Sequence, residues 1–286
     1  MRIKNNIAGI NTSRNQGIAH TQTGKSLEKL SSGYRIVRAG DDAAGLAISE
    51  KMRAQIAGLN QAIRNVNDGV GMVNTGEGAL QEVHSMLHRL ETLAIESANG
   101  TFDDVARENV EQEKKAILEE IDRISKNTTF NENPLFDSEE PADLTIEPPQ
   151  PSDKGDYTFQ IGPTQDETME VPRYHMGVKA LWLDKMELGS PENANAAIDI
   201  LAQAVQAVTE VRSTFGAAQN HLDCTQNNLS VTTENMSAAE SRIRDTNMAD
   251  EFTNFTSKNI ILQATMSMQS QANAVPQNVL TLLEGL

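Results

Sequence analysis

An uninterrupted heptad pattern between Met52 and Leu93 constrains the fold more than any other feature of the sequence. Apolar residues recur at Met52, Ile56, Leu59, Ile63, Val66, Val70 and Val73, alternately four and three apart. After a weak layer at Gly76 the pattern resumes at Leu80, Val83, Leu87, Leu90 and Ala94. This is a coiled-coil seam with apolar a and d positions. No proline interrupts it. At about 1.5 Å of rise per residue, the helix extends roughly 60 Å. It is too long for an ordinary globular helix and too polar for a membrane span. It therefore requires partner helices along its length.

The rest of the chain supplies candidates. Asp41 or Asp42 can cap the long helix, and Asn99-Gly100 ends it with glycine where a helix C-terminus favours it. Asp103 or Asp104 caps a second, shorter helix with the seam Val110, Ile117, Ile121 and Ile124. It ends near Lys126-Asn127 and is expected to fold back antiparallel. Seven of the nine prolines then fall between Pro134 and Pro172, so the middle of the chain is not helical. Ser138 to Asp153 is acidic and proline-rich, a solvated loop. Tyr157 to Gly162 alternates apolar and polar residues and leads through a turn into Thr168–Val171, a predicted β-hairpin. Tyr174 to Leu188 is expected to hold one more short extended piece around Trp182. From Pro191, which suits a first helical turn, the heptads return: Ile198, Leu201, Val205, Val208, Phe215, Leu222 and Leu229, with Arg212 as a polar exception. This helix, to about residue 236, matches the first in length, as an antiparallel partner must. The predicted class is mainly α: an elongated antiparallel helical coiled-coil bundle with a small β-hairpin insertion.

The two ends have a different character. Residues 1 to about 33 carry thinly spaced apolar positions (Ile3, Ile7, Ile10, Ile18, Leu27, Leu30) and no acid before Glu28. Isolated helices of this quality are marginal in water, so order is expected only against a partner. Beyond Asn254 the only charged residues are Lys258 and Glu284. Apolar residues there, among them Ile260, Leu262, Met266, Val279, Leu280 and Leu283, alternate with Gln and Asn. That is the composition of a surface buried in an assembly.

Composition narrows the function. Aromatic residues make up 4% of the chain, which suits a thin bundle of aliphatic seams better than a large globular core. A net charge of -16 argues against nucleic acid, since a phosphate-binding face needs clustered cations. Cys224 is the single cysteine, so no intrachain disulfide forms. The start, Met1-Arg2-Ile3-Lys4-Asn5-Asn6, lacks the apolar run of a secretory signal. No run of about 18 apolar residues is present to cross a membrane.

No catalytic, cofactor or metal site is expected. His84 and His88 lie four apart on the long helix, but two ligands make a poor metal site, and the zincin motif is absent; they read as a solvated helix face. Gly69, Gly71, Gly76 and Gly78 lie inside the heptads without a preceding strand, so they read as a locally flexible or closely packed helix segment rather than a phosphate loop. Asp41-Asp42 and Glu139-Glu140 lack calcium-loop spacing. No Ser-His-Asp or Cys-His arrangement is spaced for nucleophilic catalysis.

Both ends resemble bacterial flagellin. The likeness rests on Leu27-Glu-Lys-Leu-Ser-Ser-Gly33-Tyr-Arg-Ile36, Ala39-Gly-Asp-Asp-Ala-Ala-Gly45, Leu93 to Gly100, Glu120-Ile-Asp-Arg-Ile124 and Phe130-Asn131. Near the C-terminus it rests on Ser241-Arg-Ile-Arg-Asp245, Gln271-Ala-Asn273 and Pro276-Gln-Asn-Val-Leu280. Phe159-Gln-Ile-Gly162 resembles the hairpin of the family's rod domain. The resemblance implies a filament-core helix and spoke over residues 1–40, N-terminal rod helices over 41–133, and a short loop and hairpin region over 134–190. A C-terminal rod helix then spans 191–238 and a C-terminal core helix 239–286. It implies a structural subunit that polymerises with itself into the flagellar filament and leaves the cell through the flagellar type III channel. The filament is secreted, external or periplasmic. Partners implied are an export chaperone on the C-terminal helix, filament cap and hook-junction proteins, and the Toll-like innate-immune flagellin receptor, through a patch matching Arg89, Leu93 and Glu113. Ile260, Leu262, Met266, Val279, Leu280 and Leu283 are the expected filament-core residues. The alternative within the resemblance is a flagellin-like hook–filament junction protein.

Overall fold

The computed structural model describes residues 5–137, 148–152 and 154–284, with side chains described up to residue 278. Most of the acidic loop between Ser138 and Asp153 therefore lies outside the described residues. Of the described residues 74% are helical, which places the chain in the mainly-α class. Five helices account for this: α1 (Ile7–Ser32), α2 (Ala43–Ala98), α3 (Asp104–Asn127), α4 (Pro191–Arg244) and α5 (Met248–Glu284). Four short strands form two antiparallel pairs, β1 (Thr129–Phe130) with β2 (Asn133–Pro134), and β3 (Tyr157–Gln160) with β4 (Thr168–Val171). The chain divides into two compact units, Ala57–Thr233 and the combination of Met1–Ile56 with Glu234–Leu286.

In the unit Ala57–Thr233, α2 and α4 run antiparallel. The Asn67 Oδ1 accepts from Gln226 Nε2 at 2.9 Å and Glu77 Oε1 accepts from Arg212 Nη2 at 2.6 Å, so positions rise on one helix as they fall on the other. The seam of α2 repeats every seven residues through Leu59, Val66, Val73, Leu80, Leu87 and Ala94, all at most 5% exposed. The second row differs from the sequence reading. Gly76, Val83 and Leu90 are buried as expected, but before them Ala62 and Gly69 are buried while Ile63 and Val70 are half-buried. The same one-residue offset occurs on α4, where Ala197, Ala204, Val211 and Ala218 are buried and Ile198 and Val205 are half-buried. The cause is steric. A Cβ on Gly76 would stand 2.5 Å from Phe215 Cε2, and one on Gly69 3.4 Å from Leu222 Cδ1. Small residues on each helix receive large ones from the other, which closes the seam better than two opposed branched side chains. Arg212 consequently stands beside the seam rather than in it, paired with Glu77.

Helix α3 begins at Asp103, whose Oδ1 accepts from Ala106 N at 2.7 Å, and folds back on α2. Arg107, 7% exposed, donates to the carbonyls of Ser97 and Asn99 at 3.2 Å each, satisfying carbonyls that the end of α2 leaves open. Gly100 takes no positive φ; among the described glycines only Gly33 and Gly155 do. The chain leaves α2 instead through Asn99, whose Oδ1 accepts from Thr101 N and whose carbonyl accepts from Phe102 N.

The middle segment packs its own apolar residues. Leu135, Phe136, Val171, Met176, Leu181, Leu183, Met186 and Leu188 are each at most 2% exposed. The expected β3–β4 hairpin forms, with Tyr157 opposite Val171 and Gln160 opposite Thr168, and Phe159 lies over Gly69 of α2. The extended piece expected at Trp182 is absent. Trp182 has φ 59° and starts a 3-10 turn, Leu183–Lys185, because the apolar cluster at 180–183 turns inward within four residues. Buried Lys114 donates to the carbonyl of Met186 at 2.8 Å, Ser97 Oγ donates to that of Leu188 at 2.5 Å, and Glu111 accepts from Leu188 N at 3.1 Å. These bonds hold residues 186–188 on α2 and α3 just before α4 begins.

In the other unit, α1 and α5 pair antiparallel. Asn6 Nδ2 donates to the Ala272 carbonyl at 2.8 Å and Lys258 Nζ to Ser26 Oγ at 2.8 Å. Gly33, at φ 75°, ends α1 in the left-handed conformation that favours glycine. Arg35 N then donates to the Arg244 carbonyl at 2.7 Å, Arg35 Nη2 to that of Ile243 at 2.6 Å, and Thr246 N to that of Gly33 at 2.9 Å. The Arg244 guanidinium stacks 4.7 Å over the Tyr34 ring. Its hydrogen bond to Glu50 holds that carboxyl below its ordinary range. The N–H groups of Arg38 and Val37 do the same for Asp41, while Asp42 Oδ1 caps α2 at Gly45 N, 2.9 Å away.

Candidate assembly surface

Pairing does not bury the apolar residues of α1 and α5. On α1, Ile7, Ile10, Ile18 and Leu27 are 51–64% exposed. On α5, Phe252, Ile260, Ile261, Met266, Met268 and Val275 are 47–62% exposed. Only Gly9, Ala19 and Ser26 of α1 are fully buried. Two helices can touch along small residues and still turn their large ones outward. A monomer rarely exposes so many large apolar side chains on one helix pair unless a partner covers them.

The polar chemistry of these helices favours coverage too. Thr21, Thr23, Thr253, Thr256, Thr265 and Ser267 each donate to a carbonyl one turn back on their own helix. Their hydroxyls are thus satisfied internally and do not need water. Lys258, the one cation on α5, is engaged with Ser26. Little charge needs to be desolvated when another surface arrives, which keeps the cost of burial low.

Of the expected core residues, Ile260 and Met266 stand on this open surface and Leu262 is half-buried. Val279, Leu280 and Leu283 belong to the last turns of α5, where side chains lie outside the described residues. Sequence reasoning places Met268 in the charge-poor apolar stretch but misses Phe252, which follows Asp250-Glu251 and looks like an ordinary helix start.

The expected receptor patch lies on the other unit. Arg89 Nε donates to Glu113 Oε1 at 2.7 Å, and the pair is exposed. It is brought together by the return of α3 along α2. Leu93 is 1% exposed and packs inside the bundle, so it shapes this region from beneath. One turn away, His84 and His88 approach each other at 3.1 Å between Nε2 atoms. Burial, with His88 and Arg212 nearby, holds His84 below the ordinary histidine range. Cys224 is exposed on α4. Among the described residues no three His, Cys, Asp or Glu side chains converge as metal ligands, and no helix is long and apolar enough to cross a membrane.

Known proteins resemble the chain along nearly its whole length. Residues 3–140 match the bacterial flagellin N-terminal helical region and residues 198–283 the bacterial flagellin C-terminal helical region. A flagellin of Halalkalibacterium halodurans is 45% identical over 285 residues, covering 99% of this chain and 100% of its own. A flagellin of Bacillus subtilis is 41% identical over 308 residues, with the same coverages. A putative flagellar hook-associated protein from Vibrio parahaemolyticus superposes with a TM-score of 0.59 over 72% of this chain and 100% of its own, but at 14% identity it shares the fold alone. Identity above 40% along the full length, with two exposed terminal helices poor in charge, decides the matter: the chain belongs to the bacterial flagellin family and is a structural subunit of the flagellar filament.

Proposed function

We propose that the chain polymerises by packing the exposed faces of α1 and α5 against the same helices of neighbouring copies. The observation that carries this reading is the set of large apolar residues on α5, more than 45% exposed, on a helix whose only charges beyond Asn254 are Lys258 and Glu284. Ile260, Leu262 and Met266, followed by Val279, Leu280 and Leu283, form the filament-core contact. Buried apolar area, at about 25 cal/mol per Å², offsets the entropy of fixing the subunits. In this reading residues 1–40 and 239–286 build the core. Residues 41–133 and 191–238 form the rod, and residues 134–190 take the place of an outer domain.

The finer roles follow the same logic. The subunit is exported through the flagellar type III channel, with a chaperone covering the open face of the C-terminal helix until release. Cap and hook-junction proteins contact the same ends. The exposed Arg89–Glu113 pair, supported from beneath by Leu93, is offered to the Toll-like flagellin receptor.

Seeded assembly tests the core. Full-length chain is expected to sediment as helical polymers when fragments of filament are added. A chain truncated before Ile260 stays in the supernatant while the helical signal of the remaining bundle persists. Normal filaments from the truncated chain would overturn the role of α5.

A further inference from the structure

The geometry points to a use for His84 and His88 beyond filament packing. They lie one turn apart on α2, with Nε2 to Nε2 at 3.1 Å. Two imidazole nitrogens bound to one transition cation, each at about 2.0–2.1 Å, subtend a similar span. The far side of His88 is also arranged. Its Nδ1 lies 3.1 Å from Glu91 Oε2. With that carboxylate accepting, Nδ1 carries the proton and Nε2 presents its lone pair. An outer carboxylate on the second nitrogen is the arrangement that orients most metal-binding histidines.

His84 meets the other requirement. Its Nδ1 is buried without a hydrogen-bond partner. Without an ion, His84 Nε2–H donates to His88 Nε2; because Nδ1 has no other partner, the ring proton can pass to Nδ1 as an ion takes its place between the two Nε2 atoms. The nearest cation, Arg212, is held by Glu77 at 2.6 Å, which offsets its repulsion of an incoming ion. His88 is exposed, so water can complete the coordination sphere.

We infer that His84 and His88 chelate a single divalent transition cation such as Ni²⁺, Cu²⁺ or Zn²⁺, with Glu91 as the positioning residue for His88. Two protein ligands make an open site, one that exchanges its ion rather than a closed structural centre. Affinity is expected to follow the order of nitrogen sites generally, with Cu²⁺ the tightest.

Calorimetric titration of the full-length chain with NiCl₂ and with ZnCl₂ tests this. The expected result is one ion per chain. His84→Ala and His88→Ala each abolish that stoichiometric step, and Glu91→Gln weakens it about tenfold with helical content unchanged. His221→Ala, on α4, leaves it intact. No binding at millimolar metal, or binding that survives in the double variant of His84 and His88, would overturn the site. A Glu91→Gln variant that binds like the parent would remove Glu91 from it.

Discussion

The two helical pairs of this chain satisfy the same kind of sequence in opposite ways. Along α2 and α4 the seam is finished within the chain: Val66, Leu80, Leu87, Leu201, Val208 and Leu222 are fully buried. Along α1 and α5 the helices meet through Gly9, Ala19 and Ser26 and leave Ile10, Ile260 and Met268 60% exposed or more. The difference is not hydrophobicity, since both pairs have apolar stripes. It is where the small residues fall. On α2 and α4, glycine and alanine sit where they admit Phe215 and Leu222. On α1, they sit on the contact line itself, so the large side chains have no partner in the chain. One pair is a core, and the other, in the proposed assembly, becomes one only when copies meet.

The sharpest way to break that comparison is a matched pair of truncations. Leu87→Ala removes a side chain with no exposed area and should cost about 2–5 kcal/mol of unfolding free energy, read by urea denaturation of the monomer. Ile260→Ala removes a comparable side chain that is 62% exposed. It should change monomer stability by no more than about 0.5 kcal/mol while raising the concentration needed for polymerisation. If the two cost the monomer equally, the α5 face is already buried and the contrast fails.

Glycine substitutions probe the same contrast at smaller scale. In a helix, Gly→Ala should gain about 1 kcal/mol by propensity. At Gly76 the new Cβ would lie 2.5 Å from Phe215 Cε2, and overpacking of about 1–3 kcal/mol should outweigh that gain, lowering the denaturation midpoint. At Gly17 on α1 nothing lies within 4 Å. Gly17→Ala should therefore stabilise the monomer by about 0.5–1 kcal/mol. If it also impairs assembly, a neighbouring copy approaches closest there.

The helices were legible because heptads, Asp42, Asp103 and Gly33 state their positions in local chemistry. The second row of each long seam was legible only in part. Ile63, Val70, Ile198 and Val205 look more like core than Gly69, Gly76, Ala197 and Ala204, and only the partner's Phe215 and Leu222 reverse that order. The β1–β2 turn was also hidden, since Asn131 and Glu132 have φ of 50° and 66° and glutamate is not a usual residue for that conformation. Trp182, also at positive φ, misled in the same way. Nothing in the sequence marks Arg107 and Lys114 as buried, because their backbone carbonyl partners at Ser97, Asn99 and Met186 leave no trace in it. The open face of α5 was legible from its lack of charge, but its pairing with α1 depended on tertiary contact.

The smallest effect is expected at Arg89. Its side chain and that of Glu113 are 51% and 42% exposed, and an ion pair in that setting contributes about 0.2–1 kcal/mol. Arg89→Ala should therefore leave the denaturation midpoint nearly unchanged, with a double-variant cycle on Arg89 and Glu113 giving a coupling inside that range. The fold does not need the pair, because Leu90, Leu93 and Val110 beneath it hold α2 and α3 together. A residue that the monomer can lose so cheaply is well placed to serve contact with another molecule. In a receptor-reporter assay Arg89→Ala should then lower the response while filament yield holds. Loss of filaments with an unchanged response per subunit would move Arg89 from the receptor patch to the set of residues that pack one copy against the next.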